Sequence, residues 1–323
     1  LANATGEAPG DDAWPDFPNE SWYSAQIAGM ATQSLTGPNT WYINDTSLVG
    51  DSWCSAVGDD GANGLTPATP RRNIQPLVEC LGEGDRVCID AGIYWETVTV
   101  TRNNVTLMGK DSSSTVIDPN DSPAMSPPDN KAVSIHNTRG VTLSDLGLRN
   151  SKIGVSLSNS DSACLNPLMA SWCSTAGIEL TNHASFNLLT EVVACHNLIG
   201  WMIQPYTVPN YGNVFTNCAA FDNGGHGLWI LQADSNVFHH FVSLRNGWSA
   251  GDMDGINLNA GANGNRFSEL VVDSSANWLV NNLNSYGNSF TKCSLANDTT
   301  GHYYVYSDYP TRIERTWWGT RDS

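Results

Sequence analysis

The chain has 323 residues, with 15 Lys and Arg against 32 Asp and Glu, which gives a formal net charge of −17. A surface of this charge repels nucleic acid and anionic lipid, so both are excluded as partners. No run of about 18 apolar residues occurs, which excludes a membrane-spanning helix. The chain starts at Leu1 without a charged-then-apolar leader, so we expect a signal peptide to have been removed and the protein to be secreted or at the cell surface.

Residues 1–38 are rich in Pro, Gly and acidic residues and do not share the pattern of the rest. This predicted N-terminal arm nevertheless carries four aromatic residues, Trp14, Phe17, Trp22 and Tyr23. Aromatic side chains in a polar segment need apolar surface to cover. They either pack along the arm's own chain or dock on a neighbouring subunit, in which case the arm adds a strand or a plug.

The segment from Trp41 to Gly109 combines a polar loop, a short helical pattern between Asn73 and Leu81, and alternating strand-like runs. Within it, GDRVCIDAGIYWE follows a G-D-x-V-x-x-x-x-G-x-Y-x-E pattern, carried by Gly84, Asp85, Val87, Gly92, Tyr94 and Glu96. This resembles the capping helix and first coil of secreted right-handed parallel β-helix proteins of the pectin-lyase-like group. The resemblance implies an all-β solenoid over 39–310, with the cap at its start. It does not imply one chemistry, because that fold carries lyases, hydrolases, epimerases, adhesins and inert scaffolds.

A repeat of about 23 residues runs through the rest of the chain. Asn213 and Asn236 are 23 residues apart, as are Asn265 and Asn288, and an apolar run that usually follows a glycine completes each unit. Short strands at this period predict a solenoid whose coils stack about 4.8 Å apart. The pattern predicts these inward-facing residues: Leu143, Leu146, Leu148, Leu189, Val192, Ala194, Phe215, Cys218, Ala220, Phe238, Phe241, Ser243, Phe267, Leu270, Val272, Phe290, Cys293 and Leu295. The final segment, 311–323, departs from the repeat, and we expect its Trp317 and Trp318 to close the last coil.

Asparagine recurs ten residues into the units, at Asn150, Asn197, Asn223 and Asn246. A stacked amide ladder inside a turn explains this recurrence, because each amide can both donate and accept along the stack. Eight cysteines suit an oxidising compartment, and we expect disulfides between Cys80 and Cys88 and between Cys164 and Cys173. Six N-x-S/T sequons predict a glycoprotein, at Asn3, Asn19, Asn44, Asn104, Asn120 and Asn297.

One edge of the predicted solenoid collects acidic and imidazole side chains from successive turns, at His196, Asp222, His226, Asp252, Asp254, Asp298 and His302. Such residues support acid–base hydrolysis or cation binding, and His226, Asp252 and Asp254 are the catalytic candidates. Turns of polar solenoids contain these residues in any case. The polygalacturonase-type site resembles an Asn-Thr-Asp and an Asp-Asp set followed by Gly-His-Gly and Arg-Ile-Lys. This chain has Gly-His-Gly at Gly225–Gly227 and GDMDG after it, in the wrong order and without the other two motifs, so His226 fits a turn residue better than a general acid.

The opposite edge carries Tyr206 and Tyr211, which could stack on sugar rings. Two classes of function follow. The first is an extracellular, glycosylated structural subunit of a sheath, filament or cell surface, which self-assembles through its arm into a homopolymer. The second is a secreted polysaccharide lyase, glycoside hydrolase or carbohydrate-binding β-helix. The missing catalytic sets favour the first. No cofactor is expected, with Ca²⁺ the one cation that the turn carboxylates would suit.

Overall fold

Three parallel sheets run the length of the solenoid, and the chain passes through sheets A, B and C in turn in every coil. The computed structural model describes residues 39–119, 130–249, 253–297, 301–306, 311–314 and 316–318. Within them the sheets contain 11, 10 and 9 strands, which make about nine turns of a right-handed parallel β-helix and confirm the predicted fold class. The predicted arm, with Trp14, Phe17, Trp22 and Tyr23, lies outside the described residues.

The strands are short and carry the same register from coil to coil. Sheet A contains Thr40–Ile43, Arg86–Ile89, Thr106–Gly109, Thr142–Ser144, Cys164–Leu165, Leu188–Thr190, Val214–Thr216, Val237–His239, Arg266–Ser268, Ser289–Thr291 and Arg312–Glu314. Sheet B contains Gly92–Tyr94, Thr115–Ile117, Leu146–Arg149, Leu168–Ser171, Val192–Cys195, Ala219–Phe221, Val242–Leu244, Val271–Asp273, Ser294–Ala296 and Trp317–Trp318. Sheet C contains Val98–Val100, Lys131–His136, Ile153–Ser158, Ala176–Thr181, Ile199–Ile203, Leu228–Leu231, Ile256–Asn259, Trp278–Leu283 and Gly301–Tyr306.

The one helix among the described residues, Ile74–Val78, lies where the sequence predicts the cap. Glu96 caps it, because its two carboxylate oxygens accept the backbone N–H groups of Ile74 and Gln75 at 2.8 Å each. Burial raises the pKa of Glu96, and these two hydrogen bonds oppose the rise. The first-coil motif therefore has a physical basis: its final acid, Glu96, satisfies the start of the helix.

The core is a column of aromatic rings inside the solenoid. Phe215, Phe238, Phe267 and Phe290 stack face to face, with centroids 4.4, 4.7 and 4.8 Å apart. Trp201 packs edge-on against Phe215, and its indole N–H donates to the carbonyl of Ala219 at 3.0 Å. All the residues predicted to face inward are buried, which confirms the register.

Three corners join the sheets, and non-glycine residues with a left-handed φ occupy each of them in most coils. At the A-to-B corner these are Asp145, Glu191, Asn217, His240, Glu269 and Lys292. At the B-to-C corner they are Asn150, Trp172, His196, Asp222, Arg245, Ser274 and Asn297. At the C-to-A corner they include Asn137, Asn159, Asn182, Gln232, Ala260 and Asn284.

Buried asparagine ladders fill the inside of two corners. At the B-to-C corner the ladder consists of Asn197, Asn223 and Asn246; Asn223 donates from Nδ2 to Asn246 Oδ1 at 2.9 Å. Asn150 was wrongly assigned to this ladder, because it occupies the left-handed position one residue earlier in the corner. A second, longer ladder at the C-to-A corner joins Asn187, Asn213, Asn236, Asn265 and Asn288.

The glycine that opens most sheet C strands makes room for the B-to-C ladder. A Cβ on Gly177 would lie 2.6 Å from Asn197 Nδ2, and one on Gly200 would lie 2.9 Å from Asn223 Nδ2. Neither glycine has a positive φ, so close approach rather than backbone conformation requires it. The recurring glycine in the sequence is thus the steric complement of the recurring asparagine.

Replacing Phe238 by alanine is expected to destabilise the protein by about 3–5 kcal/mol, because it leaves a cavity between two stacked rings. Val271→Ala is the matched control, since Val271 points outward from the neighbouring sheet B and loses little burial. Chemical denaturation followed by circular dichroism measures both variants. Equal stability of the Phe238→Ala variant and the parent would contradict the inward register.

Candidate functional site

The loop from Gln204 to Tyr211 enlarges the C-to-A corner after the strand Ile199–Ile203. Asn182, in the preceding coil, anchors it: its Oδ1 accepts the backbone N–H groups of Tyr206 and Thr207 at 3.0 and 3.1 Å. Pro205 and Pro209 fix φ on either side of this anchor. The loop therefore holds Tyr206 outward, 67% exposed, on a restrained backbone.

A cavity of about 330 Å³ adjoins Tyr206. The loop lines it with Pro205, Tyr206, Thr207 and Pro209, and the next two coils contribute Gln232, Asp234 and Gly261. The cavity therefore spans three coils of the C-to-A corner. Its walls combine an aromatic face and proline rings with a carboxylate, an amide and a hydroxyl, which is the mixture that binds polyhydroxylated ligands.

Asp234 is the acidic group of this cavity. Burial raises the pKa of its carboxyl, and the backbone N–H of Asn263, which donates to Oδ1 at 2.8 Å, opposes the rise. The hydrogen bond fixes one carboxylate oxygen to the next coil. The carboxylate is thereby held in place as a hydrogen-bond acceptor beside Tyr206.

A buried carboxylate, that of Glu179 on the outer face of sheet C, lies near enough to Tyr206 to act on it electrostatically. Glu179 is 1% exposed, and its Oε2 accepts Lys131 Nζ at 2.9 Å and Ser156 Oγ at 2.6 Å. Burial raises the pKa of the Tyr206 phenol, and the adjacent Glu179 raises it further. The Tyr206 hydroxyl therefore stays protonated, and it accepts a hydrogen bond from Gln204 Nε2 at 3.1 Å.

Sequence reasoning missed Glu179, although one signal was present. In the runs GVSL, GIEL, GWMI, GLWI and GINL, the third position is Glu only in GIEL, at Glu179. An acid between buried positions of a strand needs partners, because an unpaired buried charge is costly. Lys131, 48 residues earlier and two coils away, is a partner that the sequence alone does not reveal.

Tyr211 lies at the end of the same loop and is less exposed than Tyr206. Its ring packs edge-on against Phe186, with centroids 5.0 Å apart, and tilts over His183 at 5.4 Å. The structure thus places both predicted carbohydrate-binding tyrosines on one corner. Tyr211 belongs to a local aromatic cluster, whereas the ring of Tyr206 remains available.

His226 lies at the B-to-C corner and is mostly buried. Its Nδ1 accepts the backbone N–H of Asp254 at 2.9 Å, so the proton of the neutral ring sits on Nε2. The Asp254 carboxylate is 3.8 Å from Nδ1, beyond hydrogen-bond distance. Burial lowers the pKa of His226, and the nearby Asp254 offsets part of that effect. His226 is therefore a neutral ring that ties one coil to the next.

Asp254 is enclosed by N–H donors. Asn277 and the Trp278 backbone donate to Oδ1 at 2.9 and 3.1 Å, while Asn257 and Asn281 donate to Oδ2 at 2.6 and 3.0 Å. The N–H donors of the protein itself thus occupy acceptor positions on both carboxylate oxygens of Asp254. The third catalytic candidate, Asp252, lies outside the described residues.

The other side chains predicted at this edge have local partners. His196 stacks on Trp172, with centroids 4.5 Å apart and planes inclined by 17°. Asp222 accepts two hydrogen bonds from Arg245 at 2.7 and 2.8 Å, which lower the pKa of its carboxyl. Asp298 lies outside the described residues, as does the side chain of His302.

Neither of the two predicted disulfides is formed in the structure. Cys80 is exposed beyond the helix, and its thiol donates to the carbonyl of Pro76, whereas Cys88 is buried in sheet A. Cys164 lies in sheet A, and Cys173 lies beyond a sheet B strand with its thiol against Ser151. Burial raises the pKa of Cys173 to about 11, so this thiol stays protonated at neutral pH.

The sequons differ in accessibility. Asn44 is 0% exposed, and its Nδ2 donates to Ser47, Asp51 and Ala56, so the folded structure leaves no room there for the predicted glycan. Asn104 and Asn297 are exposed turn residues with a left-handed φ. Asn3, Asn19 and Asn120 lie outside the described residues.

Comparison with known proteins places the chain in a family. The family model for the right handed beta helix region matches residues 131–300. The chain belongs to this right-handed β-helix family. No curated protein sequence matches it. No helix in the described part of this β-helix protein is long and apolar enough to cross a membrane.

Three solved structures illustrate the shared fold. Pectate lyase Pel9A has a TM-score of 0.56 at 15% identity, covering 84% of this chain and 79% of its own. Full-length tailspike protein 2 of the Escherichia coli O157:H7 bacteriophage CAB120 has a TM-score of 0.58 at 12% identity, covering 75% of this chain and 35% of its own. The A-module of the Azotobacter vinelandii mannuronan C-5 epimerase AlgE6 has a TM-score of 0.50 at 14% identity, covering 76% of this chain and 93% of its own.

The neutral state of His226 predicts a pH dependence of stability. Its folded pKa lies below the unfolded value of about 6.5, so the unfolded chain takes up the proton first. The neutral ring therefore contributes to the free energy of unfolding above about pH 6.5, and this contribution is lost as the pH falls. Between pH 7.5 and 5, the melting temperature of the parent should therefore fall further than that of His226→Asn, whose Oδ1 can still accept the Asp254 N–H.

His183→Asn is the control, because His183 is partly exposed and lies on another corner. Its melting temperature should follow the parent at both pH values. If the parent and His226→Asn lose the same number of degrees, the buried neutral ring is not the origin of the pH dependence.

Proposed function

We propose that this β-helix protein binds a polysaccharide at the C-to-A corner, along the loop from Gln204 to Tyr211. The observation that carries the proposal is the exposed, anchored ring of Tyr206 beside a cavity of about 330 Å³. An exposed aromatic face gives a sugar ring apolar contact, and fixed polar groups then choose its orientation. Similar folds include a pectate lyase and a mannuronan epimerase, both named for polysaccharides, which supports a ligand of this class.

The polar groups around Tyr206 match sugar hydroxyls. Asp234 offers carboxylate oxygens, Gln232 offers an amide that can donate and accept, and Thr207 offers a hydroxyl. Thr207 comes from one coil, and Gln232 and Asp234 come from the next, so the two sets lie about one strand spacing of 4.8 Å apart. A polymer chain that crosses these coils would meet polar groups from both.

The charge of the chain selects among polysaccharides. A net charge of −17, with Asp234 in the cavity itself, repels a polyuronate at low ionic strength. Neutral polymers meet no such barrier. We therefore propose a neutral polysaccharide as the ligand.

The assembly hypothesis is the less supported of the two classes that the sequence leaves open. It depends on residues 1–38, which lie outside the described residues, while the carbohydrate alternative is supported by the similar folds and by the Tyr206 corner. Secretion and the glycans at the exposed sequons Asn104 and Asn297 remain predictions, consistent with a protein that meets polysaccharide outside the cell.

Replacing Tyr206 by alanine should weaken polysaccharide binding about two- to twelvefold, because an aromatic stacking contact contributes about 0.5–1.5 kcal/mol. Isothermal titration with neutral glucan, mannan, xylan and galactan oligosaccharides, alongside oligogalacturonate, measures the affinity. Trp172→Ala is the matched control, since Trp172 is 60% exposed but lies on the B-to-C corner. Equal affinity of the Tyr206→Ala variant and the parent, or stronger binding of oligogalacturonate at low salt, would refute the proposal.

A further inference from the structure

We propose that His239, His240 and Glu269 form a binding site for a divalent transition-metal ion of the zinc type. The site lies where sheet A turns into sheet B, and it does not depend on the proposed sugar site at the C-to-A corner. One ligand atom from each of the three residues lies within 4.8 Å of the others.

The register of the solenoid brings the three residues together. His239 ends a sheet A strand and pairs with Ser268 of the next coil. His240 and Glu269 follow these two residues and hold the same left-handed corner position, with φ of 52° and 55°. Equivalent positions in adjacent coils are separated by about one strand spacing, so their side chains share one space.

The distances need only small adjustments to form a metal centre. His240 Nε2 lies 2.6 Å from Glu269 Oε2. Tetrahedral zinc binds nitrogen and oxygen ligands at about 2.0–2.2 Å, which puts neighbouring ligand atoms about 3.4 Å apart. His240 and Glu269 have side chains 55% and 32% exposed, so both can rotate by this amount without disturbing the core.

The third ligand is already oriented. His239 Nδ1 lies 3.0 Å from Ser268 Oγ, and a hydrogen bond there leaves Nε2 as the ligand atom. Metal-binding histidines are ordinarily held in this way, with the second ring nitrogen bonded to a neighbouring polar group. The imidazole rings of His239 and His240 are 4.8 Å apart, which places them side by side above the same corner.

The ligand set selects the type of metal. Two imidazole nitrogens and one carboxylate suit zinc and its neighbours in the first transition row, whereas Ca²⁺ and Mg²⁺ prefer oxygen ligands throughout. Three protein ligands also leave one tetrahedral position for water. Ca²⁺ is therefore a control ion for this site.

An ion pair without a metal is the competing interpretation. Glu269 lies between His240 and Lys292, whose Nζ is 3.6 Å from Oε1, and these contacts alone would explain two of the three residues. His239 distinguishes the interpretations, because its hydrogen bond goes to Ser268 and not to Glu269. In an ion pair without a metal, His239 has no role, whereas in a metal site His239 and Glu269 both serve as ligands of the same ion.

Isothermal titration of the full chain with ZnCl₂ tests the site, with CaCl₂ and MgCl₂ as hard-cation controls. The parent should bind one Zn²⁺ at this site, and His239→Gln, His240→Gln and Glu269→Gln should each weaken that binding about tenfold or more. Lys292→Met should strengthen it, since removal of the ammonium frees Glu269. His183→Gln, a histidine near an acid on another corner, should bind Zn²⁺ like the parent.

All variants are first compared in EDTA, where equal melting temperatures show that the fold is intact. The proposal is overturned if the parent shows no Zn²⁺ binding at millimolar concentration, or if Ca²⁺ binds as tightly. It is also overturned if His239→Gln binds Zn²⁺ like the parent, because the contacts of Glu269 are then those of an ion pair alone.

Discussion

The buried asparagine ladders are the constraint on which the rest of the molecule depends. Asn213 shows why: its Nδ2 donates to the carbonyl of Ala184 in the coil before and to Oδ1 of Asn236 in the coil after. A buried amide that lost either partner would carry the full cost of desolvation. Coils must therefore stack in one register at both ladder corners, and the glycines of sheet C strands and the column of phenylalanine rings follow from that register.

The ladders also determine where the chain can vary. The chain runs from the C-to-A ladder through sheets A and B to the B-to-C ladder. This passage takes ten residues in each of three successive coils: Asn187 to Asn197, Asn213 to Asn223 and Asn236 to Asn246. The return through sheet C takes 16, 13 and 19 residues, from Asn197 to Asn213, Asn223 to Asn236 and Asn246 to Asn265. In these three coils all the variation in length thus lies on the sheet C side, which carries the Tyr206 loop. The histidine–glutamate cluster arises differently, by side-chain identity in turns of constant length.

The sequence predicted what depends on periodicity. Phe238 and Phe267 face inward as their spacing required, and the cap helix lies within the segment expected for it. The failures concern a position or partner that periodicity does not specify. Asn150 lies one residue before the ladder position, and the repeat spacing in the sequence is not exact enough to reveal a difference of one residue. Glu179 was missed because its partner Lys131 is close only after two coils have been stacked, and Asn44 reads as a sequon although the fold buries its amide.

In this fold the side chains at the corners determine function, because proteins with different names share the scaffold itself. Structures at 12–15% identity carry the names of a lyase, a tailspike and an epimerase, so the solenoid alone selects none of them. The turn histidine His226 and its neighbour Asp254 look like an acid–base pair in the sequence. In the structure, however, His226 Nδ1 accepts the backbone N–H of Asp254, and both carboxylate oxygens of Asp254 accept N–H donors. Tyr206 differs because its backbone is fixed while its ring is exposed. A residue whose position is determined by the scaffold and whose surface is left uncovered is the one suited to recognise a ligand.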